Sequence, residues 1–336
     1  MIASSTTERA QALLGEGRPI EAIALLRAEA ARGDVEAAFQ LAVQFLTGEH
    51  VPRDLPSARR LLRPAAEAGH RDAALFEVAL TANGSGGPAD WTGAIKILRA
   101  ASECDPVAAQ DLAILDSMSL LNDGSPASLP EPEELAPGGA VVRYPRLLTP
   151  VECAYIARAA ADLLEPAVVI DPASGRHIRH PHRTSDGAVL GPTRETLPVR
   201  AINGRIAAIS GTDIDQGEAL TVLRYAPGQQ FRPHHDALSR TVNQRVTTVL
   251  LYLNQGFAGG ETTFPAYGLS IAPRGGDALL FNNTLPGGQP DPRARHAGEP
   301  VRQGVKWLAT RWIRARPFSL WTGPEAAPPD HRQTRS

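Results

Sequence analysis

Three residues in the C-terminal half have the types and spacing of a metal site. The segment RPHHDAL, residues 232–238, carries an HxD pair, and His296 follows 60 residues after Asp236. Alternation along a strand would point His234 and Asp236 to one side and His235 to the other. Two histidines and one carboxylate on one face of a metal leave positions open, as oxygen-activating iron centres require. A solvated polar turn is the alternative for the HxD pair taken alone.

A lysine ten residues after His296 would complete such a site. Alternation along KWLATRWIR, 306–314, places four side chains on one face: Lys306, Leu308, Thr310 and Trp312. A short turn through Gly304 would return Lys306 to the cavity that His296 faces, and a buried lysine needs an anion. The sequence therefore predicts a carboxylate partner for Lys306. The alternative is a surface lysine at the end of a strand.

The elements that must position these residues are short strands. Runs with β-like composition are separated by Gly and Pro turns: ALTVLRYA, RVTTVLLYLN, ETTFP, GDALLFNN and KWLATRWIR. Many short strands at close spacing predict a sandwich or a jelly roll. The absence of strand–helix alternation argues against a doubly wound sheet, and no Gly-rich phosphate-binding motif stands in a suitable context.

One helix precedes these strands. Thr149 has the type of an N-cap, Pro150 suits the first turn, and Glu152 stands three residues after the cap. We therefore predict a helix that runs through CAYIARAAADLL, with Cys153 in the core.

Several segments, in order and in spacing, resemble the catalytic domain of prolyl 4-hydroxylases. They are RTSDGAVL, YAPGQQFRPHHD, RVTTVLLYLNQGFAGGETTFP and GDALLFNNTLPGGQPDPRARHAGEPVRQGVKWLATRWIR. The resemblance covers about residues 142–316. It implies a double-stranded β-helix, and an Fe(II)- and 2-oxoglutarate-dependent hydroxylase that acts on a peptidyl prolyl residue and produces succinate and CO2. The implied cofactors are Fe(2+), 2-oxoglutarate and O2, with ascorbate as a reductant.

The resemblance also assigns roles to residues. The implied iron ligands, which are also the catalytic residues, are His234, Asp236 and His296. The implied contacts to 2-oxoglutarate are Tyr225, Thr262 and Lys306. Arg245 and Trp312 match positions that line the peptide groove, whereas Glu218 is expected to support the sheet. Two alternatives stay open: a dioxygenase of a free amino acid or small metabolite, and a catalytically silent, repeat-based interaction protein.

A histidine cluster lies in SGRHIRHPHRT: His177, His180 and His182. It could bind a metal. The favoured interpretation is a basic loop near the entrance of the active site. Arg176, Arg179 and Arg183 add positive charge that could contact an acidic peptide, and the favoured alternative to that contact is a solvated loop.

The N-terminal third contains an internal repeat of 36 residues. Three sets of positions obey this offset: Ala22, Ala58 and Ala94; Leu26, Leu62 and Leu98; Arg27, Arg63 and Arg99. Apolar residues at helical spacing, followed by Gly33 and Gly69, predict stacked helical hairpins with C-terminal caps. The pattern A-x-x-L-L-R-x-A-A-x-x-G resembles Sel1-like repeats over about residues 5–118. That resemblance implies binding of a peptide or protein, which could be the substrate; a structural cap for the second domain is the alternative.

These observations predict an α+β chain with an N-terminal helical repeat array and a jelly-roll catalytic domain with flanking helices. The predicted divisions are repeats at 1–121, a linker at 122–139 (NDGSPASLPEPEELAPGG), the catalytic domain at 140–318 and a tail at 319–336.

Composition bounds the partners and the location. The net charge of −2 gives no basic field that would recruit nucleic acid, and no window of about 18 apolar residues predicts a membrane span. The two cysteines, Cys104 and Cys153, fall in different predicted domains, which favours free thiols in a reducing compartment. No signal peptide is recognised, so a cytoplasmic location is expected, and the abundance of Ala, Arg, Gly and Pro is associated with a bacterial source.

Overall fold

The computed structural model describes residues 6–170, 177–180, 182–239 and 241–322. The chain divides into two compact units. The first, the repeat array, consists mainly of residues up to Met118; the second, the β-domain, consists mainly of residues after Ser125. In the part of the chain that is described, each helix is too short or too polar to cross a membrane.

The repeat array consists of α-helices that pack each against the next. They are α1 Thr6–Gly15, α2 Pro19–Ala31, α3 Val35–Thr47, α4 Leu55–Glu67, α5 Arg71–Asn83, α6 Trp91–Ser102 and α7 Pro106–Ser117. The predicted helical hairpins are therefore present as α2–α3, α4–α5 and α6–α7. The alanines and leucines that carry the 36-residue period are at most 1% exposed: Ala22, Ala58, Ala94, Leu26, Leu62 and Leu98.

The helix ends explain where each hairpin turns. Gly33 and Gly69, just beyond α2 and α4, have φ values of 92° and 87°, which a residue with a side chain adopts only under strain. The N-caps of α3 and α4 are Asp34 and Asp54, whose carboxylates accept backbone N–H groups of the first turn.

The β-domain contains α8 Pro150–Ala161 and, from Ala201 onward, α9 Leu197–Ser210. Its strands are β1 Glu133–Ala136, β2 Val141–Tyr144, β3 Glu165–Pro166, β4 Val168–Ile170, β5 His177–Arg179, β6 Asp186–Leu190, β7 Leu220–Tyr225, β8 Phe231–His234, β9 Arg245–Tyr252, β10 Ala258–Gly259, β11 Thr262–Phe264, β12 Leu269–Ile271, β13 Ala278–Asn282, β14 His296–Gly298, β15 Val301–Gln303 and β16 Lys306–Arg314. The large sheet has the order β1-β2-β13-β9-β16-β7-β6-β3, and the small sheet β12-β11-β14-β8. The pairs β10–β15 and β4–β5 stand apart.

The two sheets share one hydrophobic core. Strands of the large sheet contribute Tyr252 and Phe281, the small sheet contributes Phe264, and all three are at most 1% exposed. The strand pairs among the described residues are antiparallel, for example β13 with β9 and β14 with β8. The predicted fold class, helical repeats followed by a jelly roll, is therefore confirmed.

Two local expectations differ from the structure. The predicted linker 122–139 contains β1, which pairs with β2 and buries Ala136. The sequence did not indicate this strand because it is short and takes its stability from pairing with β2. The predicted helix at Thr149 is present with its capping box, but it ends at Ala161, before DLL. Cys153 is buried as expected.

Candidate metal centre

Two neighbouring strands and one loop residue bring the HxD pair and the distant histidine together. His234 is the last residue of β8, and His296, the first of β14, lies opposite it in the antiparallel pair. Asp236 lies two residues beyond the end of β8, so the expectation that it stands on the strand is wrong. The carboxylate nevertheless turns to the same side: Oδ1 lies 3.5 Å from His234 Nε2, and Oδ2 lies 3.7 Å from His296 Nε2. His235 is exposed, as alternation predicts.

Backbone carbonyls fix the tautomers of both histidines. The Nδ1 atom of His234 is 2.8 Å from the carbonyl oxygen of Arg232, and that of His296 is 3.0 Å from the carbonyl oxygen of Ala294. A carbonyl oxygen only accepts, so each Nδ1 carries the proton and each Nε2 presents a lone pair.

The ligand atoms are therefore three acceptors that face one another. They lie within 4.8 Å of each other, and Asp236 and His296 are buried. Facing lone pairs repel unless a cation lies between them, and two imidazole nitrogens with one carboxylate oxygen suit Fe(II). The residues present thus fit the iron that the sequence predicts.

Burial and hydrogen bonds put these groups in the states that bind metal. Burial lowers the pKa of His296 to about 4, which keeps the imidazole neutral. Burial by itself would raise the pKa of Asp236, but the neighbouring histidines and a hydrogen bond from Thr248 outweigh it and hold that pKa below its usual range. A neutral imidazole and an ionised carboxylate are the forms that coordinate a cation.

A relay of hydrogen bonds that the sequence did not indicate orients Asp236. The Thr248 hydroxyl donates to Asp236 Oδ2 at 2.7 Å, and Asn283 Nδ2 donates to the Thr248 oxygen at 2.8 Å. Both residues are at most 1% exposed. Nothing in the sequence distinguishes Thr248 from the adjacent Thr247, because its role depends on the position of a loop residue, Asp236.

Aromatic rings enclose the two imidazoles. The Phe231 ring stacks on His234 with centroids 3.5 Å apart. Phe264 and Phe281 lie 5.4 Å and 4.6 Å from the His296 ring. These rings hold the imidazole planes and exclude water from one side of the site.

Lys306 begins β16 opposite Tyr225 of β7 and is 2% exposed. Its Nζ donates to the Gly260 carbonyl at 2.7 Å and lies 5.5 Å and 5.7 Å from the centroids of the Tyr225 and Tyr252 rings. Burial lowers the pKa of Lys306 to about 8, although Glu261 acts in the opposite direction. No carboxylate of the described residues contacts this buried ammonium group, and such a site favours an anionic ligand.

The backbone beside Lys306 requires glycine. Gly260 has a φ of 70°, and a Cβ there would lie 3.0 Å from Lys306 Cδ. Thr262, two residues further on, is buried. The Thr262 hydroxyl oxygen accepts a 2.8 Å hydrogen bond from the Tyr252 hydroxyl. Tyr252 is a second contact that sequence reasoning missed.

One cavity joins these groups. Its lining includes the three predicted ligands and the three predicted 2-oxoglutarate contacts: His234, Asp236, His296, Tyr225, Thr262 and Lys306. Leu308, Thr310 and Trp312 line it too, so the predicted alternation along β16 is present. The Thr310 hydroxyl and the Trp312 Nε1 are buried without a hydrogen-bond partner among the described residues, which indicates that a polar ligand belongs there.

Arg245 contacts both Trp312 and Glu218. The Arg245 guanidinium lies 4.0 Å from the centroid of the Trp312 ring and forms two hydrogen bonds, 2.6 Å and 2.8 Å, to the Glu218 carboxylate. Glu218 also contacts Arg314 at 2.6 Å. Glu218 therefore supports the sheet, as expected. Arg245 is engaged by Glu218 and supports Trp312, and its contact with a peptide stays a prediction.

The histidine loop can be described only in part. His180 Nδ1 accepts the backbone N–H groups of His182 and Arg183 at 3.1 Å and 3.0 Å, which stabilises a turn. Arg176 lies outside the described residues, and so do the side chains of His177 and Arg179. The metal and entrance-loop hypotheses therefore stay predictions.

Comparison with known proteins agrees with this site. The family described as the 2OG-Fe(II) oxygenase superfamily matches residues 220–314. Prolyl 4-hydroxylase 1 of Arabidopsis thaliana is 36% identical over 208 residues, which span 56% of this chain and 74% of that protein. This chain belongs to the prolyl 4-hydroxylase family. Probable prolyl 4-hydroxylase 10 of the same plant is 34% identical over 201 residues, 53% of this chain and 69% of the relative.

Solved structures also resemble parts of this prolyl 4-hydroxylase family member. The viral collagen prolyl hydroxylase from Paramecium Bursaria Chlorella virus-1, in its 2OG complex, aligns with a TM-score of 0.44 and 26% identity, over 53% of this chain and 98% of that one. A Sel1 repeat protein from Oxalobacter formigenes aligns with a TM-score of 0.29 and 22% identity, over 33% and 46% of the two chains.

Proposed function

We propose that this protein is an Fe(II)- and 2-oxoglutarate-dependent hydroxylase that acts on a prolyl residue of a peptide or protein. The observation that carries the proposal is that one cavity contains both a group that would bind a cation and a group that would bind an anion. Three acceptor atoms without a donor between them favour a cation, and the buried ammonium of Lys306 favours an anion. A dicarboxylate that chelates the metal at one end and pairs with Lys306 at the other fits both features.

Iron, 2-oxoglutarate and O2 together supply the oxidation of a substrate C–H bond, with release of succinate and CO2. The protein's own residues bind and orient. His234 and His296 would hold iron through their Nε2 atoms, and Asp236 would hold it while Thr248 occupies its Oδ2. Lys306 would hold the distal carboxylate of 2-oxoglutarate.

Other residues of the cavity would shape its selectivity. Thr262, fixed by the Tyr252 hydroxyl, and Tyr225, beside Lys306, would contact 2-oxoglutarate. Trp312, which the Arg245 guanidinium supports, lines the same cavity and would face the peptide. Ascorbate would keep the iron reduced. A cytoplasmic location and a bacterial source stay predictions from the sequence.

The test is an anaerobic titration of the full chain with Fe(II) and 2-oxoglutarate, monitored for the visible metal-to-ligand charge-transfer band. We expect the band with the wild type and none with Asp236→Asn. A well-folded wild type that gives no band would exclude the proposal and leave a binding module. Once the band is present, succinate release with proline-containing peptides, compared with free proline and other free amino acids, separates a peptidyl hydroxylase from an enzyme of small metabolites.

A further inference from the structure

The helical hairpins can be compared position by position because they repeat within one chain. Helices α2 and α4 begin 36 residues apart, and so do α3 and α5. In the first hairpin Ile23, Leu41 and Phe45 belong to one hydrophobic cluster. In the third hairpin, where α7 begins 35 residues after α5, the first two positions are the partly buried Ile95 and Leu112, and the third is the exposed Asp116. Apolar side chains therefore fit this place in the architecture.

The middle hairpin has a buried polar cluster at the same positions. Arg59, Glu77 and Thr81 each stand 36 residues after their counterparts in the first hairpin (59 − 23, 77 − 41 and 81 − 45). They are 5%, 1% and 5% exposed. Arg59 Nη2 donates to Glu77 Oε1 at 2.8 Å and to the Thr81 oxygen at 2.6 Å. The middle hairpin thus has a buried ion pair where the first hairpin has apolar residues.

Stability does not account for this replacement. Transfer of an arginine and a glutamate out of water costs about as much as their attraction returns, and apolar residues of similar volume are commonly as stable or more stable. The first hairpin of the same chain has apolar residues at these positions: Ile23, Leu41 and Phe45. A position where a sequence departs from its own structural pattern is a candidate for function.

The cluster carries more positive than negative charge. Arg63 Nε also donates to Glu77 Oε1, at 2.7 Å, so two guanidinium groups share one carboxylate. Arg59, Arg60 and Arg63 line a cavity of about 380 Å³, in which the one lining carboxylate among the described residues is Asp90. Asp90 accepts the Gly93 N–H at the start of α6, so its charge is directed in part to the helix. The cavity therefore favours an anion.

Access to the buried arginine depends on Gly87. A Cβ at Gly87 would lie 3.1 Å from Arg59 Nη1, and Gly87 lines the same cavity. Its φ lies outside the left-handed region, so a larger residue is compatible with the backbone. The missing side chain leaves one edge of the guanidinium open to a ligand.

A wider groove of about 640 Å³ shares Arg63, Thr81 and Asp90 with this cavity. Its lining combines apolar residues, such as Ala74 and Ile97, with charges of both signs. Three cations and four carboxylates line it: Arg63, Arg71 and Lys96; Glu67, Glu77, Asp90 and Asp105. A polyanion such as a nucleic acid would be repelled here, whereas a polypeptide of mixed polarity fits.

We propose that the middle hairpin is a binding site for a peptide segment that carries a glutamate or aspartate beside apolar residues. A glutamate or aspartate carboxylate of the segment enters the arginine-lined cavity, and the adjoining apolar residues lie in the wider groove. Arg59 and Arg63 bind the carboxylate while Glu77 holds both guanidinium groups in place. This site belongs to the repeat array alone, so it stands independently of the hydroxylase activity proposed above.

The experiment measures binding by the full chain without iron or 2-oxoglutarate. The probes are short, end-blocked, fluorescently labelled peptides of Ala, Leu and Pro with one or two Glu residues, and a matched set with Gln in place of Glu. Fluorescence anisotropy should show binding of the Glu set that weakens with added salt, and affinity at least about tenfold lower for the Gln set.

Three variants locate the site. Arg60→Gln/Arg63→Gln removes the exposed charges, and Gly87→Leu blocks the cavity while it leaves every charge in place. Arg59→Ile/Glu77→Leu introduces the residues that the first hairpin has at the equivalent positions, Ile23 and Leu41. Each should lower the affinity for Glu peptides at least about tenfold. The control is Arg99→Gln, because Arg99 is the repeat equivalent of Arg63 but lies outside both linings; it should bind like the wild type.

Several outcomes overturn the proposal. Equal affinity for Glu and Gln peptides, or no binding of either set, excludes a carboxylate site. Retained binding in both the Gly87→Leu variant and the charge variant excludes this location. Tighter binding of inorganic phosphate or single-stranded RNA than of the Glu peptides, measured by competition, would make it a phosphate site and overturn the proposal.

Discussion

The His–Asp–His site of the β-domain and the Arg59–Glu77 cluster of the repeat array are both buried and polar, but they are unbalanced in opposite directions. Around Asp236, three acceptor atoms face one another, and the Nδ1 donors of both histidines are directed to backbone carbonyls. Around Glu77, two guanidinium groups share one carboxylate. The first arrangement favours a bound cation, and the second favours a bound anion.

An excess of acceptors or of donors in a buried cluster therefore indicates the charge of the ligand better than the polarity of the cluster does. A buried polar cluster that satisfies all its own groups needs nothing further. One that leaves an excess of lone pairs or of N–H groups is completed by a ligand of the complementary charge.

The largest effect is expected from Asp236→Asn. An amide lacks the charge that holds iron, so turnover should fall by about 10³-fold or more, and iron should be lost on gel filtration. The Asn amide can donate to an Nε2 atom, so the metal-free variant should unfold at the same temperature as the metal-free wild type or higher. His234→Ala and His296→Ala should also lose iron. The matched control is His235→Ala, whose side chain is exposed and whose iron content should be normal.

Lys306→Met should raise the KM for 2-oxoglutarate about 10²-fold, with a much smaller change in kcat, because it removes the buried partner of the distal carboxylate. Steady-state succinate release measures both constants. Arg302→Gln is the control, since Arg302 is an exposed cation that pairs with Glu261 of the adjoining segment. An equal rise of KM in both variants would mean that general positive charge, and no specific contact, attracts the cosubstrate.

Thr248→Val should weaken iron affinity by about 10–100-fold, because it removes the donor that orients Asp236. A competitive titration against a chromophoric chelator measures the affinity. The control is Thr247→Val on the same strand, where the hydroxyl lies 3.4 Å from the Asn282 side chain and makes no contact with the site that the structure records. Unchanged iron affinity in Thr248→Val would contradict a role for the relay.

The pKa of about 8 at Lys306 predicts two opposite trends above that pH. The ordinary pKa of 10.5 applies to the unfolded chain, which therefore holds more protons between pH 8 and 10.5, so Lys306 makes the metal-free protein more stable as pH rises. Affinity for 2-oxoglutarate should fall over the same range, by up to about tenfold per pH unit, since the carboxylate needs the ammonium form. Calorimetry of both quantities in wild type and Lys306→Met measures the difference, and parallel trends in the two proteins would contradict the assignment.

The smallest effect is expected from Arg59→Ile/Glu77→Leu in the repeat array. The free energy of unfolding should stay constant or rise by about 1–2 kcal/mol, because apolar residues replace a buried ion pair. Arg59→Ile alone should destabilise the protein by about 3–5 kcal/mol, because it leaves the buried Glu77 carboxylate with only the exposed Arg63 as a partner. Urea unfolding measures both. A double variant that is less stable than the single one would mean that the cluster serves the fold.

Much of the site could be predicted from the sequence because its residues are tied to local patterns. Strand alternation separates His234 from His235 and places Lys306, Thr310 and Trp312 on one face, and the structure has both features. The strand boundary was wrong at Asp236, since a loop can turn a side chain to the same side as a strand. Groups that act through distant partners, such as Thr248 with Asp236 and Tyr252 with Thr262, carried no local signal.

Local patterns in the sequence predict the 36-residue hairpins, the capped helix at Thr149, the long strands of the large sheet and the ligand types, because each depends on periodicity or on neighbours along the chain. Only the tertiary structure decided which lone pairs face one another, that β1 joins the sheet, and that Arg59 meets Glu77 across two helices. Those contacts join residues that are distant in sequence. Their geometry is set by strand register and helix packing, which depend on the whole core at once.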